Sequence, residues 1–216
     1  MLHATVLYML GIAQNTGSNS SSSSNSSDPS ALYKHVLPAL LRLACDVDMV
    51  PKQLFTPLVM QLIHWFTKMA PEKRPEPALM LDAILAGLSD SRNSALRDFC
   101  AGCVREFFVW SFKHTSDKKL RESRGGLIKV LLKRVMSMAT HPNTFQRMGA
   151  ALAINNIYAR LRESELLVNM FVLELLDAFM RSLQLARRDD PAMGTAAHTQ
   201  RALKNLRRII LKKVAW

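Results

Sequence analysis

The sequence predicts an all-α fold, an α-solenoid of about four helical hairpins that follows a Ser-rich N-terminal linker. Three observations predict it. From residue 31 onward apolar residues recur at helical spacing, no segment shows a convincing period-2 strand pattern, and proline, glycine and short charged stretches separate the apolar segments. We therefore divide the 216 residues into a short apolar segment at 1–14, a linker at 15–30 and helical repeats at 31–216.

The first 30 residues do not contribute to the predicted repeats. The segment MLHATVLYMLGIA lacks the basic start and the cleavage site of a signal peptide, and it is too short to span a bilayer. The stretch NTGSNSSSSSNSSDPS that follows has no apolar residue to bury, which predicts a disordered linker.

The remaining segments fall into four consecutive helical pairs, at about 31–69, 77–114, 126–163 and 164–214. Proline stops the first helix of the third pair at Pro142, and Asp90, Asn93 or Asn143 can cap second helices by accepting backbone N–H bonds. Each pair therefore reads as an αα-hairpin. One hairpin cannot bury its apolar face alone, so the four are expected to stack into one core.

The second helices of the pairs repeat a common pattern. A shift of 50 residues lays Arg97 on Arg147 and brings the apolar stripes into register. Looser matches at shifts of 42 and 52 include the outer pairs, without the arginine. Units of this size with two helices each are typical of HEAT-type repeats. The pattern predicts a set of packing residues: Ala101, Val104, Phe107, Ala151, Ile154 and Ile157.

The candidate chemical motifs are explained more simply as residues that pack within helices. Cys100 and Cys103 form a CxxC, but they lie within a predicted helix and no second Cys or His pair with zinc spacing accompanies them. Asp98-Phe99-Cys100 resembles the metal-binding motif of kinases by two letters only, and no phosphate loop or catalytic loop is present. We expect packing roles here, and no catalytic, cofactor-binding or metal-binding residue in the chain.

The basic residues are the remaining functional signal. The chain has 29 Lys and Arg against 17 Asp and Glu, a net charge of +12, which favours a polyanionic partner. One cluster lies on the last helix, opposite Leu203, Leu206, Ile210 and Val214. It comprises Arg201, Lys204, Arg207, Arg208, Lys212 and Lys213. This spacing is compatible with an ordinary solvated helix face, and also with a surface that contacts DNA phosphates.

The stretches YKHVLPALLRLACDVDMVPKQLFTPLVMQLIHWF, LRDFCAGCVREF and HPNTFQRMGAALAINNIY resemble the helical-repeat region of the phosphatidylinositol 3-kinase-related kinase family. The resemblance covers residues 31–216. It implies a nuclear, non-catalytic solenoid segment of a Ser/Thr protein kinase that acts in double-strand break repair by non-homologous end joining. It further implies, as partners, neighbouring HEAT repeats of a longer parent chain, the Ku heterodimer and DNA ends, with no membrane.

Overall fold

The computed structural model describes residues 29–69, 75–116 and 126–214, and within these ranges the chain is all-α, with no strand. This confirms the predicted fold class. The α-helices are α1 Pro29–Ala44, α2 Met49–Met69, α3 Glu76–Leu88, α4 Ser94–Lys113, α5 Leu127–Ala139, α6 Thr144–Leu161, α7 Glu165–Ala186 and α8 Thr195–Val214. A short 3-10 helix at Pro191–Met193 precedes α8.

The helix starts follow from local sequence. α1 begins at Pro29, so the last two residues assigned to the linker belong to the first helix instead. Proline fits there because the first turn of a helix has backbone N–H groups without helical partners. Asn93 caps α4 by accepting the N–H of Leu96, and Asn143 caps α6 by accepting the N–H of Phe145. Asp90 instead accepts two N–H groups of the turn before α4.

The helices pack as four hairpins in a stack. α1 packs on α2, α3 on α4, α5 on α6 and α7 on α8, while the second helices form a continuous row from α2 through α4 and α6 to α8. The first helices contact each other along α1–α3 and α5–α7, whereas α3 meets α5 only narrowly and packs on α6 instead. Each hairpin therefore buries its apolar face against its neighbours, as expected for a solenoid.

The core runs along the contact between the two rows of helices. All six packing residues predicted from the repeat are buried, with at most 3% of their surface exposed. Small residues bring α6 close to α3. A Cβ atom built on Gly149 would lie 2.8 Å from the carbonyl oxygen of Leu88, which ends α3.

The repeated arginines hold the turns of their own hairpins. The guanidinium of Arg97 donates to the backbone oxygen of Asp90 at 2.7 Å, and that of Arg147 donates to the backbone oxygen of His141 at 2.7 Å. Arg147 also forms a buried ion pair with Asp189, which belongs to the turn of the next hairpin. The repeat arginine is thus a structural residue, and in the third hairpin it joins two units.

Candidate functional site

α8 presents the basic cluster to solvent. Its start follows the 3-10 helix, which ends at Gly194 with a φ of 70°, a conformation that glycine adopts without strain. Arg201, Lys204, Arg207 and Arg208 are all exposed. The side chains of Lys212 and Lys213 lie outside the described residues. Four of the six predicted cations therefore share the accessible surface of one helix.

The buried face of α8 is rotated slightly from the predicted one. Ala202, Leu206 and Ile209 are buried, whereas Leu203 and Ile210 are only half-buried; Val214 lies outside the described side chains. The prediction that Leu203 and Ile210 form the buried face was therefore only partly right. The difference arises because α8 leans on α6 as well as on α7, so two neighbours cover it from different sides.

A polar network missed by sequence reasoning anchors α8 to α6. The amide nitrogen of Asn155 donates to the backbone oxygen of His198 at 3.1 Å, and that of Asn205 donates to the Asn155 side-chain oxygen at 3.0 Å. Asn205 is only 3% exposed. Buried amides of this kind stabilise one register because misplacing them leaves polar groups without partners. The available signal was Asn205 itself, a polar residue at helical spacing with Ala202 and Ile209.

The basic residues line an open groove between α6 and α8. Its volume is about 450 Å³, and Tyr158 is the residue that α6 contributes. α8 supplies the rest of the lining: Ala197, Gln200, Arg201, Lys204, Asn205 and Arg208. Arg207 is exposed beside the groove and is not part of its lining. The lining contains three cationic side chains and no carboxylate.

The cations of this groove have no ion-pair partner among the described residues. Five described arginines of α4 to α7 have carboxylate partners, among them Arg134 with Asp82 and Arg181 with Asp177. None of the four described cations of α8 has an ion pair within the ranges that the structure covers. Unpaired like charges on one surface create a positive potential that attracts polyanions.

The CxxC cysteines lie in the core. Cys100 and Cys103 are both fully buried, and burial raises the pKa of Cys100 to about 12 and that of Cys103 well above its ordinary value. Thiols with such pKa values stay protonated and make poor nucleophiles or metal ligands. Among the described residues no group of three or more His, Cys, Asp or Glu is arranged to hold a metal ion.

A second cluster, of aromatic rings, lies between α2 and α4. The rings of His64 and Trp110 stack with centroids 3.8 Å apart, and His114 lies about 6 Å from both. The ammonium group of Lys113 is 4.3 Å from the centre of the Trp110 ring. Burial lowers the pKa of His114, and the neighbouring His64, Lys68 and Lys113 lower it further. Four further basic residues follow α4 in the sequence, and they lie outside the described residues: Lys118, Lys119, Arg121 and Arg124.

The stacked hairpins and the basic groove define a HEAT-like α-solenoid with an exposed basic surface. The family model for the DNA-dependent protein kinase catalytic subunit, CC1/2, matches residues 28–216. The chain therefore belongs to this family.

Relatives agree with this assignment. The DNA-dependent protein kinase catalytic subunits of Gallus gallus and Xenopus laevis are 46% and 45% identical over 213 and 215 residues, 99% and 100% of this chain. That of Dictyostelium discoideum is 38% identical over 185 residues, 86% of the chain and 4% of the relative. The similarity thus extends beyond the predicted 31–216 to include the N-terminal segment. The chain spans only about 5% of the length of the Gallus and Xenopus proteins.

The described helices include none long and apolar enough to cross a membrane.

Proposed function

We propose that this chain is a non-catalytic scaffold segment of a DNA-dependent Ser/Thr protein kinase that acts in double-strand break repair by non-homologous end joining. The observation that carries the proposal is the continuous row of second helices from α2 to α8, within a chain that belongs to the kinase subunit's CC1/2 family. Stacked repeats transmit position from one unit to the next because each unit is held by its neighbours.

The buried Arg147–Asp189 pair supports a role in holding shape. Arg147 and Asp189 have side chains only 3% and 8% exposed, and Thr144 donates a further hydrogen bond to Asp189 at 3.0 Å. This cluster joins α6 to the α7–α8 turn, so it fixes the angle between two hairpins. A scaffold needs fixed angles because small rotations add up along a stack.

The proposed partners are neighbouring HEAT repeats of the parent chain, the Ku heterodimer and DNA ends, in the nucleus. The relatives are by name DNA-dependent, and the net charge of +12 suits a polyanionic environment.

A kinase assay tests the scaffold proposal. The isolated 216-residue chain is expected to transfer no phosphate from ATP to a Ser/Thr peptide substrate, with or without duplex DNA. In the full-length protein, Arg147→Met is expected to reduce DNA-stimulated kinase activity, whereas Arg181→Met, which removes an exposed ion pair on α7, leaves it unchanged. Phosphate transfer by the isolated chain, or full activity of Arg147→Met, would contradict the proposal.

A second candidate function is direct, sequence-independent binding of DNA phosphates by α8. It rests on the four exposed cations without ion pairs described above. The test is a titration of a fluorescent blunt-ended duplex at low and near-physiological salt. Wild-type chain should bind with a steep salt slope, and a charge-reversed Arg201, Lys204 and Arg208 variant should not. The matched control variant reverses the charges of Lys34, Lys52 and Lys133, which are exposed and lie outside the groove.

A further inference from the structure

The groove between α6 and α8 has the size of a small-ligand site. Its volume of about 450 Å³ lies within the range of roughly 300 to 1,000 Å³ that such sites occupy. Packed helices lie about 8–10 Å apart, so a groove between two of them suits a single strand better than a duplex.

The cations are arranged along the groove. Arg201 and Arg208 are seven residues apart on α8, a rise of about 10 Å, and Lys204 lies between them. A line of positive charges over this length suits successive backbone phosphates of one strand.

The opposite wall adds groups that phosphates alone do not require. Tyr158 of α6 is half-buried and lines the groove together with Gln200 of α8. An aromatic ring next to a cationic track is the arrangement by which proteins bind single strands, with bases stacked on the ring. A nucleobase presents a flat aromatic face that can stack on a tyrosine ring, whereas the carboxylates of an acidic peptide have no such face.

We propose that this groove binds single-stranded nucleic acid, with phosphates on Arg201, Lys204 and Arg208 and a base stacked on Tyr158. This inference rests on the second candidate function, because it assigns a preferred ligand to the same basic surface. The hydrogen bond between buried Asn205 and half-buried Asn155 keeps α8 in register with α6, and therefore keeps the cations opposite Tyr158.

The first test compares ligands and variants in the whole chain. Fluorescent oligothymidylate, a blunt-ended duplex of equal length and a poly-glutamate peptide are titrated against wild type, Tyr158→Leu and Tyr158→Phe. Wild type should bind oligothymidylate most tightly. Tyr158→Leu should bind oligothymidylate with about tenfold lower affinity, while its affinity for the duplex changes little. Tyr158→Phe should bind both ligands like wild type.

The outcomes distinguish the single-strand site from the more general proposal that α8 binds DNA phosphates. If duplex binding depends on Arg201, Lys204 and Arg208 but Tyr158→Leu changes nothing, the phosphate surface stands and the single-strand site is wrong. If charge reversal leaves duplex binding intact, both are wrong. Equal binding of poly-glutamate would assign the groove to an acidic protein segment.

A second measurement avoids dependence on the folding of a variant. Wild-type chain is photocrosslinked to a bromodeoxyuridine-containing single strand, and the modified peptide is identified by mass spectrometry. A crosslink at Tyr158 is expected. Crosslinks found only outside the groove would overturn the inference.

Discussion

At the scale of single residues, two glycines differ sharply in their surroundings. A Cβ on Gly149 would lie 2.8 Å from the Leu88 backbone oxygen, whereas a Cβ on Gly102 meets nothing within 4 Å. Gly149→Ala should therefore lower the free energy of unfolding by about 1–3 kcal/mol through overpacking. Gly102→Ala should raise it by about 0.5–1 kcal/mol, since alanine favours the helix. Thermal melts of both variants decide the point, and a stable Gly149→Ala protein would show that α3 and α6 are not in close contact.

The three cysteines should differ in their reactivity toward a thiol reagent. Cys100 and Cys103 are buried with raised pKa values, whereas Cys45 is only half-buried. Burial raises the pKa of Cys45 as well. Native protein at neutral pH should therefore label slowly and at Cys45 alone, while denatured protein labels at all three. Fast modification of Cys100 or Cys103 in native protein would mean that α4 is not packed as described.

His114 should make stability depend on pH. Its pKa is lowered in the folded state by burial and by the nearby His64, Lys68 and Lys113. The unfolded chain then takes up the proton first, so the free energy of unfolding should fall as pH drops below about 6.5, until His114 itself titrates. His114→Phe keeps an aromatic ring but removes the titrating group. Its free energy of unfolding, measured by chemical denaturation, should therefore fall less than that of wild type between pH 7.5 and 5.5. If the free energies of unfolding of wild type and His114→Phe change in parallel with pH, His114 is not the cause of the pH dependence.

At the scale of elements, the two repeat arginines, Arg97 and Arg147, should contribute differently to stability. Both bind a backbone oxygen in their own turn, but only Arg147 has a buried carboxylate partner, and Arg97 lies 5.6 Å from the Phe145 ring centre. Removing one member of a buried pair leaves an uncompensated charge and costs about 3–5 kcal/mol. Arg147→Met should therefore destabilise the chain more than Arg97→Met in denaturant titrations. Equal losses would mean that the Asp189 pair adds nothing to the turn contact.

At the scale of the whole molecule, the main helix contacts among the described residues link neighbouring hairpins, so damage should stay local. Ala151→Leu overpacks α6, at a cost of about 1–3 kcal/mol. Backbone hydrogen exchange should accelerate most in α4, α6 and α8, and least in α1, which does not pack on α6. Ala95→Leu, at an exposed position of α4, is the matched control. Uniform acceleration along the chain would indicate one cooperative unit in place of a stack.

The family likeness and most of the fold were predictable because both rest on local patterns. Apolar residues at helical spacing place the helices, Asn93 and Asn143 mark helix starts, and the Arg97–Arg147 match identifies the repeat. The basic residues of α8 were equally visible, since charge is a property of composition. The sequence alone therefore determined an all-α stack of hairpins with a positive last helix.

Only the tertiary structure decided what surrounds those residues. Arg147 pairs with Asp189 across 42 positions, Asn155 pairs with Asn205 across 50, and Tyr158 lines the groove together with cations of α8. Periodicity alone does not identify these contacts, because they depend on how far one hairpin is rotated against the next. That rotation is set by the packing of many side chains at once, such as the close approach of Gly149 to Leu88, and so it emerges only when the helices are assembled.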